Sequence, residues 1–136
     1  MTRQVWINLP VKDVARSKEF FSKLGFMFNP IQNSGESACM LLGDKKVVVM
    51  LFASDTFAGF TRHEVTDTTL STEVLISIDA ESKAEVEEMA QRALAAGGTV
   101  YGEPGGTDWM YGCGFADLDG HRWNVLYMDM TRMPQQ

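Results

Sequence analysis

The chain is poor in the features that would commit it early to a class. Its 136 residues hold only two cysteines, Cys39 and Cys113. Two thiols cannot complete a metal site alone, and the expected role is that of small buried apolar residues rather than reactive groups. No apolar run approaches the roughly 20 residues a membrane helix needs, so no membrane partner is expected. Basic residues are scattered, and 12 Lys and Arg against 18 Asp and Glu leave a net charge of −6. With no basic stripe to follow a phosphate backbone, nucleic acid is not an expected partner. Met1-Thr2-Arg3-Gln4 leads straight into a strand-like run, with neither a basic leader region nor a cleavage site. A cytoplasmic location is the expectation.

What is present is enough for one ordinary domain over residues 1–136, with a hydrophobic share of 45% to build a core. Its organising feature is an internal repeat, read before any local element because it fixes the architecture. Residues 4–52 run strand, helix, glycine-ended turn and three further strands, and residues 72–129 repeat that order, with a polar connection over 53–71. Two copies are too few for a solenoid, so a pseudo-twofold pair of α+β units is expected, with a cleft between them.

Local chemistry supports each element. Asp13 is placed to cap the first helix, with Ser17, Phe20, Phe21 and Leu24 at helical spacing and Gly25 as the exit. In the second helix Asp79 or Ser82 caps, Val86, Met89, Ala90, Ala93 and Leu94 form the stripe, and Gly97-Gly98 ends it. Gly43-Asp44 and Asp117-Leu118-Asp119-Gly120 mark hairpins, and Pro104-Gly105-Gly106 marks another loop. The connection carries Phe57, Phe60 and His63. Its length suits a functional or mobile loop, or one holding a short helix.

Strand alternation then sorts the faces. Val5, Ile7, Leu9 and Val11 face the first helix, as do Val47, Val49 and Leu51, leaving Trp6, Asn8, Val48, Met50 and Phe52 opposite. In the second copy Val74, Ile76, Ile78, Trp123, Val125 and Tyr127 face the helix. Glu73, Leu75, Ser77, Arg122, Asn124, Leu126 and Met128 lie opposite. That second face is mostly apolar with a few polar groups, the usual make-up of a small-molecule pocket. A sheet-packing core or dimer surface is the other reading, and it is disfavoured because Asn8, Glu73 and Asn124 would be costly in a dry core.

Leu9-Pro10-Val11-Lys12-Asp13, Ser17-Lys18-Glu19-Phe20-Phe21, Leu24-Gly25-Phe26 and Asp117-Leu118-Asp119-Gly120-His121-Arg122-Trp123 resemble the strand–helix opening and closing hairpin of the vicinal oxygen chelate superfamily. That superfamily includes glyoxalase I, extradiol dioxygenases and bleomycin-resistance proteins. More narrowly, the chain resembles small bacterial proteins labelled predicted lactoylglutathione lyases. The resemblance implies two βαβββ repeats forming a curved mixed sheet around a cleft, and a homodimer. In catalytic members it implies a divalent metal held by the first and fourth strands of each repeat. Carried over, those positions fall on Trp6, Met50, Glu73 and Asn124. Trp cannot coordinate, Met is a soft donor and Asn a weak one, so no metal cofactor is expected. His63 and His121 are expected to be solvated or locally bonded.

The expected function is therefore metal-independent binding of a small organic molecule. Trp6, Met50, Trp109, Tyr111 and Met128 would supply apolar contact, while Asn8, Glu73, Arg122 and Asn124 would fix orientation. The alternative is a lactoylglutathione lyase-like isomerase or lyase with Glu73 as its base, its carboxyl raised in pKa beside Trp and Met. Arg122 would then be the one candidate to steady an enediolate.

Overall fold

The computed structural model describes residues 1–30 and 35–134. The chain divides into two compact units, Met1–Asp67 and Thr68–Gln136. Both have the same plan, in agreement with the repeat.

In the first unit, strand β1 (Trp6–Val11) is followed by helix α1 (Val14–Lys23), β2 (Met27–Phe28), β3 (Ser37–Leu42), β4 (Val47–Ala53) and helix α2 (Ser54–Thr61). The sheet order is β1-β4-β3-β2, with β1 and β4 parallel and the other neighbours antiparallel. In the second unit β5 (Leu75–Asp79), α3 (Lys83–Ala95), β6 (Thr99–Gly106), β7 (Met110–Ala116) and β8 (Arg122–Met128) give the order β5-β8-β7-β6. Here β5 and β8 are the parallel pair.

The helix ends follow from the capping residues. The Asp13 carboxylate accepts the Arg16 N–H at 3.1 Å, and the Ser82 hydroxyl accepts the Glu85 N–H at 3.1 Å. Ser82 is thus the cap of α3, and Asp79 belongs to β5. Both helices close in the same two-bond turn. Phe26 N–H donates to Phe21 O at 3.1 Å and Gly25 N–H to Ser22 O at 3.0 Å. In α3, Gly98 N–H donates to Ala93 O at 2.9 Å and Gly97 N–H to Leu94 O at 3.2 Å. Gly25 at φ 98° and Gly97 at φ 102° supply the left-handed residue this turn requires.

Each core lies between helix and sheet. Phe20, Phe21 and Leu24 of α1 are buried with Leu9, Val11, Met40, Val49 and Leu51 of the first sheet. Val86, Ala90 and Ala93 of α3 are buried with Phe115, Trp123 and Val125, and the Phe115 and Trp123 rings stack with centroids 6.1 Å apart. Each large apolar side chain so buried stabilises its unit by about 1.5–3 kcal/mol.

Several expectations are corrected. Val5 and Val74 precede their strands and are exposed, as is Val47 at the start of β4. Leu94 is also exposed, because α3 turns it off the stripe in its last turn. Pro104-Gly105-Gly106 is not a loop but part of β6. As the edge strand, β6 tolerates a proline that has no N–H to give. Residues 54–61 form α2 without a side-chain N-cap bond. Tertiary contacts hold it instead: Ser54 Oγ donates to Val11 O at 3.1 Å, and the Phe52 and Phe60 rings meet edge-on at 5.1 Å.

Candidate functional site

Residues directly opposite across neighbouring strands point to the same side of a sheet. In the second sheet the pairs Leu75–Arg122, Ser77–Asn124 and Asp79–Leu126 therefore share the face turned away from α3. On the other flank of β8, Asn124 lies opposite Gly114 and Leu126 opposite Gly112, while Met110 and Met128 pair at the end. The glycines leave a floor without side chains beside Asn124.

That floor is occupied by Tyr101. Strand β6 carries an extra residue between the pairs Val100–Phe115 and Gly102–Gly114, a bulge of the kind that re-aims a side chain. The bulge lays the Tyr101 ring across Gly114. A Cβ built at Gly114 would stand 2.6 Å from Tyr101 Cε1 and 2.7 Å from its oxygen. The Tyr101 hydroxyl is shared between Asn124 Oδ1 at 3.1 Å and Trp123 O at 3.2 Å. The Arg122 guanidinium lies over the same ring, 4.3 Å from its centroid. Burial pushes the Tyr101 phenol above its ordinary pKa, with the Arg122 charge pulling the other way. The phenol is therefore a neutral donor to Asn124 near pH 7. Tyr101 was not among the residues expected from sequence. Its signal was the glycine pattern at 102, 112 and 114, which leaves room for one large neighbour.

The first sheet presents a different surface. Trp6 lies opposite Val48, Asn8 opposite Met50, and Pro10 opposite Phe52, all on the side away from α1. Trp6 is 56% exposed and Met50 is half-buried. Cys39 pairs with Met50 on this side and is buried, whereas Cys113 faces α3 and donates its S–H to Val86 O at 3.6 Å. Burial pushes both thiols upward in pKa, with the Glu103 charge adding to the effect at Cys113. Helix α2 borders the first surface through Phe60 on Phe52.

The remaining site residues are dispersed. Glu73 sits exposed in a bend ahead of β5, so it precedes the strand register instead of occupying it. Leu75 is the structural equivalent of Trp6, because Asn8–Met50 and Ser77–Asn124 are matching pairs. Tyr111 faces α3, where its hydroxyl donates to Glu87 at 2.9 Å and Lys83 lies over its ring. It lines a groove of about 460 Å³ between α3 and β6, with Glu103, Leu94 and Pro104 among its walls. Tyr111 is thus on the opposite side from Asn124. Trp109 is half-buried between β6 and β7 and accepts the Asp129 N–H at 2.7 Å through its carbonyl. Met128 is exposed at the end of β8.

In the closing hairpin His121 is locally bonded, one of the two states expected of it. It is buried and not at a solvated tip. Its N–H and that of Asp119 each donate to Asp117 Oδ1 at 3.0 Å, and Trp123 Nε1 donates to Asp117 Oδ2 at 3.2 Å. Thr68 covers the turn by donating its hydroxyl to Asp119 O. His63 is exposed.

The donor set does not fit a catalytic divalent metal. In the first unit the positions implied by resemblance offer an indole and a thioether. In the second, Asn124 Oδ1 already accepts from Tyr101, and the Arg122 cation stands two residues away on the same face. Among the described residues no group of three or more His, Cys, Asp or Glu side chains is placed to hold a metal ion. Nor, among them, is any helix long and apolar enough to cross a membrane.

The comparisons agree with this architecture. Residues 3–43 match the family model "Bleomycin resistance protein-like N-terminal". A search of curated proteins finds no match. Among solved structures, the chain is similar to hypothetical protein SA1046 from S. aureus. The two are 31% identical over 93% of this chain and 94% of that one, with a TM-score of 0.82. A glyoxalase/bleomycin resistance protein/dioxygenase family enzyme from Burkholderia phytofirmans shares the fold at 17% identity, 91% and 97% coverage and a TM-score of 0.76. A lactoylglutathione lyase from Agrobacterium tumefaciens shares it at 16% identity, 93% and 94% coverage and a TM-score of 0.64. With paired βαβββ units and these likenesses, the chain has the fold of the glyoxalase/bleomycin-resistance proteins, and its residues 3–43 carry the match to the bleomycin-resistance-like N-terminal family.

Proposed function

We propose that this chain binds a small organic molecule on the open faces of its sheets, without the divalent metal common in the superfamily it resembles. The observation that carries the reading is the state of Asn124. Where a catalytic relative would present a carboxylate, this chain has a neutral amide whose oxygen is committed to Tyr101, beside the Arg122 cation. A divalent ion there would meet a like charge and a weak, occupied donor. The surrounding Leu75, Leu126, Met110 and Met128 supply apolar contact, and on the first sheet Trp6, Asn8 and Met50 offer a comparable mixture.

A thermal-shift screen of metabolites and drugs, run with and without added Ni²⁺ or Zn²⁺, tests the proposal. A ligand present at a hundred times its dissociation constant adds about 2.7 kcal/mol and a clear rise in Tm. The expected result is such a rise with no dependence on metal. Stoichiometric Ni²⁺ or Zn²⁺ together with hemithioacetal isomerisation would overturn it in favour of the isomerase reading, in which exposed Glu73 serves as the base. No shift with any compound would also overturn it. The same proposal takes the working form to be a homodimer, expected at twice the 15.1 kDa chain mass by light scattering. Exposed Met27 on edge strand β2 and Leu94 on α3 support such pairing.

A further inference from the structure

The geometry points to a monocarboxylate with an apolar body as the ligand of the second sheet's open face, held by Arg122 on its Tyr101 platform. This deepens the binding reading above and rests on it. A guanidinium held over a ring by cation–π attraction spends none of its hydrogen-bonding capacity on a polar acceptor there. Among the described residues Arg122 forms no ion pair, and its recorded contact is the ring at 4.3 Å. Asn124 adds donors of the same kind, because its Oδ1 accepts from Tyr101 and its amide NH₂ is left over. The platform is fixed, since the Tyr101 hydroxyl is tied to the β8 backbone at Trp123 O and the ring fills the space above Gly114. Donors so held match the planar, two-oxygen shape of a carboxylate.

The charge count selects a single negative charge. Arg122 is the one cation on this face among the residues paired across β5, β8 and β7. The acidic residue there, Asp79, is four residues along β5 from Leu75, the residue opposite Arg122, or roughly 13 Å away. A second negative charge in that direction would be repelled, whereas Leu126, Met110 and Met128 offer an apolar seat. The protein's net charge of −6 gives a stray anion no general attraction, so anion preference here would have to come from Arg122 itself.

The test is amide chemical-shift titration of the whole chain with benzoate, hexanoate, benzamide, benzylammonium and inorganic phosphate. The two carboxylates are expected to move the amides of residues 112–114 and 122–126 and to bind at least tenfold more tightly than benzamide. Arg122→Gln should bring benzoate to the benzamide level, and Arg122→Lys, which keeps charge but not the fork, should fall between. Equal binding of benzoate and benzamide, or an Arg122→Gln variant that binds benzoate normally, would overturn the assignment. So would phosphate binding as well as the carboxylates at these amides. If neither carboxylate moves these amides while the wider screen finds another ligand, only the carboxylate assignment fails. If the wider screen finds nothing, the binding reading itself has failed.

Discussion

Asp117→Ala should be among the most damaging single changes in the second unit. Asp117 is 6% exposed and its carboxylate accepts three N–H groups, those of Asp119 and His121 at 3.0 Å and Trp123 Nε1 at 3.2 Å. Truncation strands three buried donors, each costing about 1–3 kcal/mol when left without a partner. Allowing for water entering a relaxed turn, the expected loss is about 3–5 kcal/mol, a large share of the 5–15 kcal/mol typical of a domain. Urea unfolding would read it as a lower midpoint at unchanged slope. A loss below about 1 kcal/mol would refute the reasoning. The pH dependence gives a second check. Burial pushes the Asp117 carboxyl above the ordinary 3.8, outweighing the His121 charge and the N–H donors, which pull it down. A raised acid favours folding in its protonated form. That contribution is complete below the unfolded value and is lost as pH rises through the folded one. The stability of the wild type relative to Asp117→Asn should therefore fall as pH is raised from about 4. A relative stability that climbed with pH would mean the donors outweigh burial.

Gly114→Ala should eject the Tyr101 ring while leaving β7 paired, because the new methyl meets that side chain and not backbone. Losing the hydroxyl bond and the guanidinium contact should cost about 1–2 kcal/mol in urea unfolding; an unchanged midpoint would sink the platform argument. Both cysteines should resist Ellman's reagent at neutral pH in the folded protein and react on unfolding, since burial raises each thiol. Rapid reaction of either in the native state would contradict their placement.

Much of the fold was legible because it is locally encoded. Asp13 and Ser82 cap, Gly25 and Gly97 take left-handed angles, and alternation put Val49, Leu51, Trp123 and Val125 against the helices. The site was legible only in part. Parity placed Arg122 and Asn124 on one face. Applied to β7, the same parity sets Tyr111 with buried Cys113 and Phe115, on the α3 side. The resemblance sets Glu73 level with Trp6, whereas the strand pairing makes Leu75 the equivalent and leaves Glu73 ahead of β5.

What the sequence determined alone was the doubled βαβββ plan, since periodicity, caps and turn glycines act over a few residues. The scarcity of metal donors at the implied positions was also written there. Only the tertiary structure decided the chemistry of the second face. The β6 bulge carries Tyr101 to Asn124 and Arg122. Thr68, 51 positions before Asp119, donates to its carbonyl across the turn that leads into buried His121. Contacts between residues so far apart depend on register, and register is settled by the whole sheet.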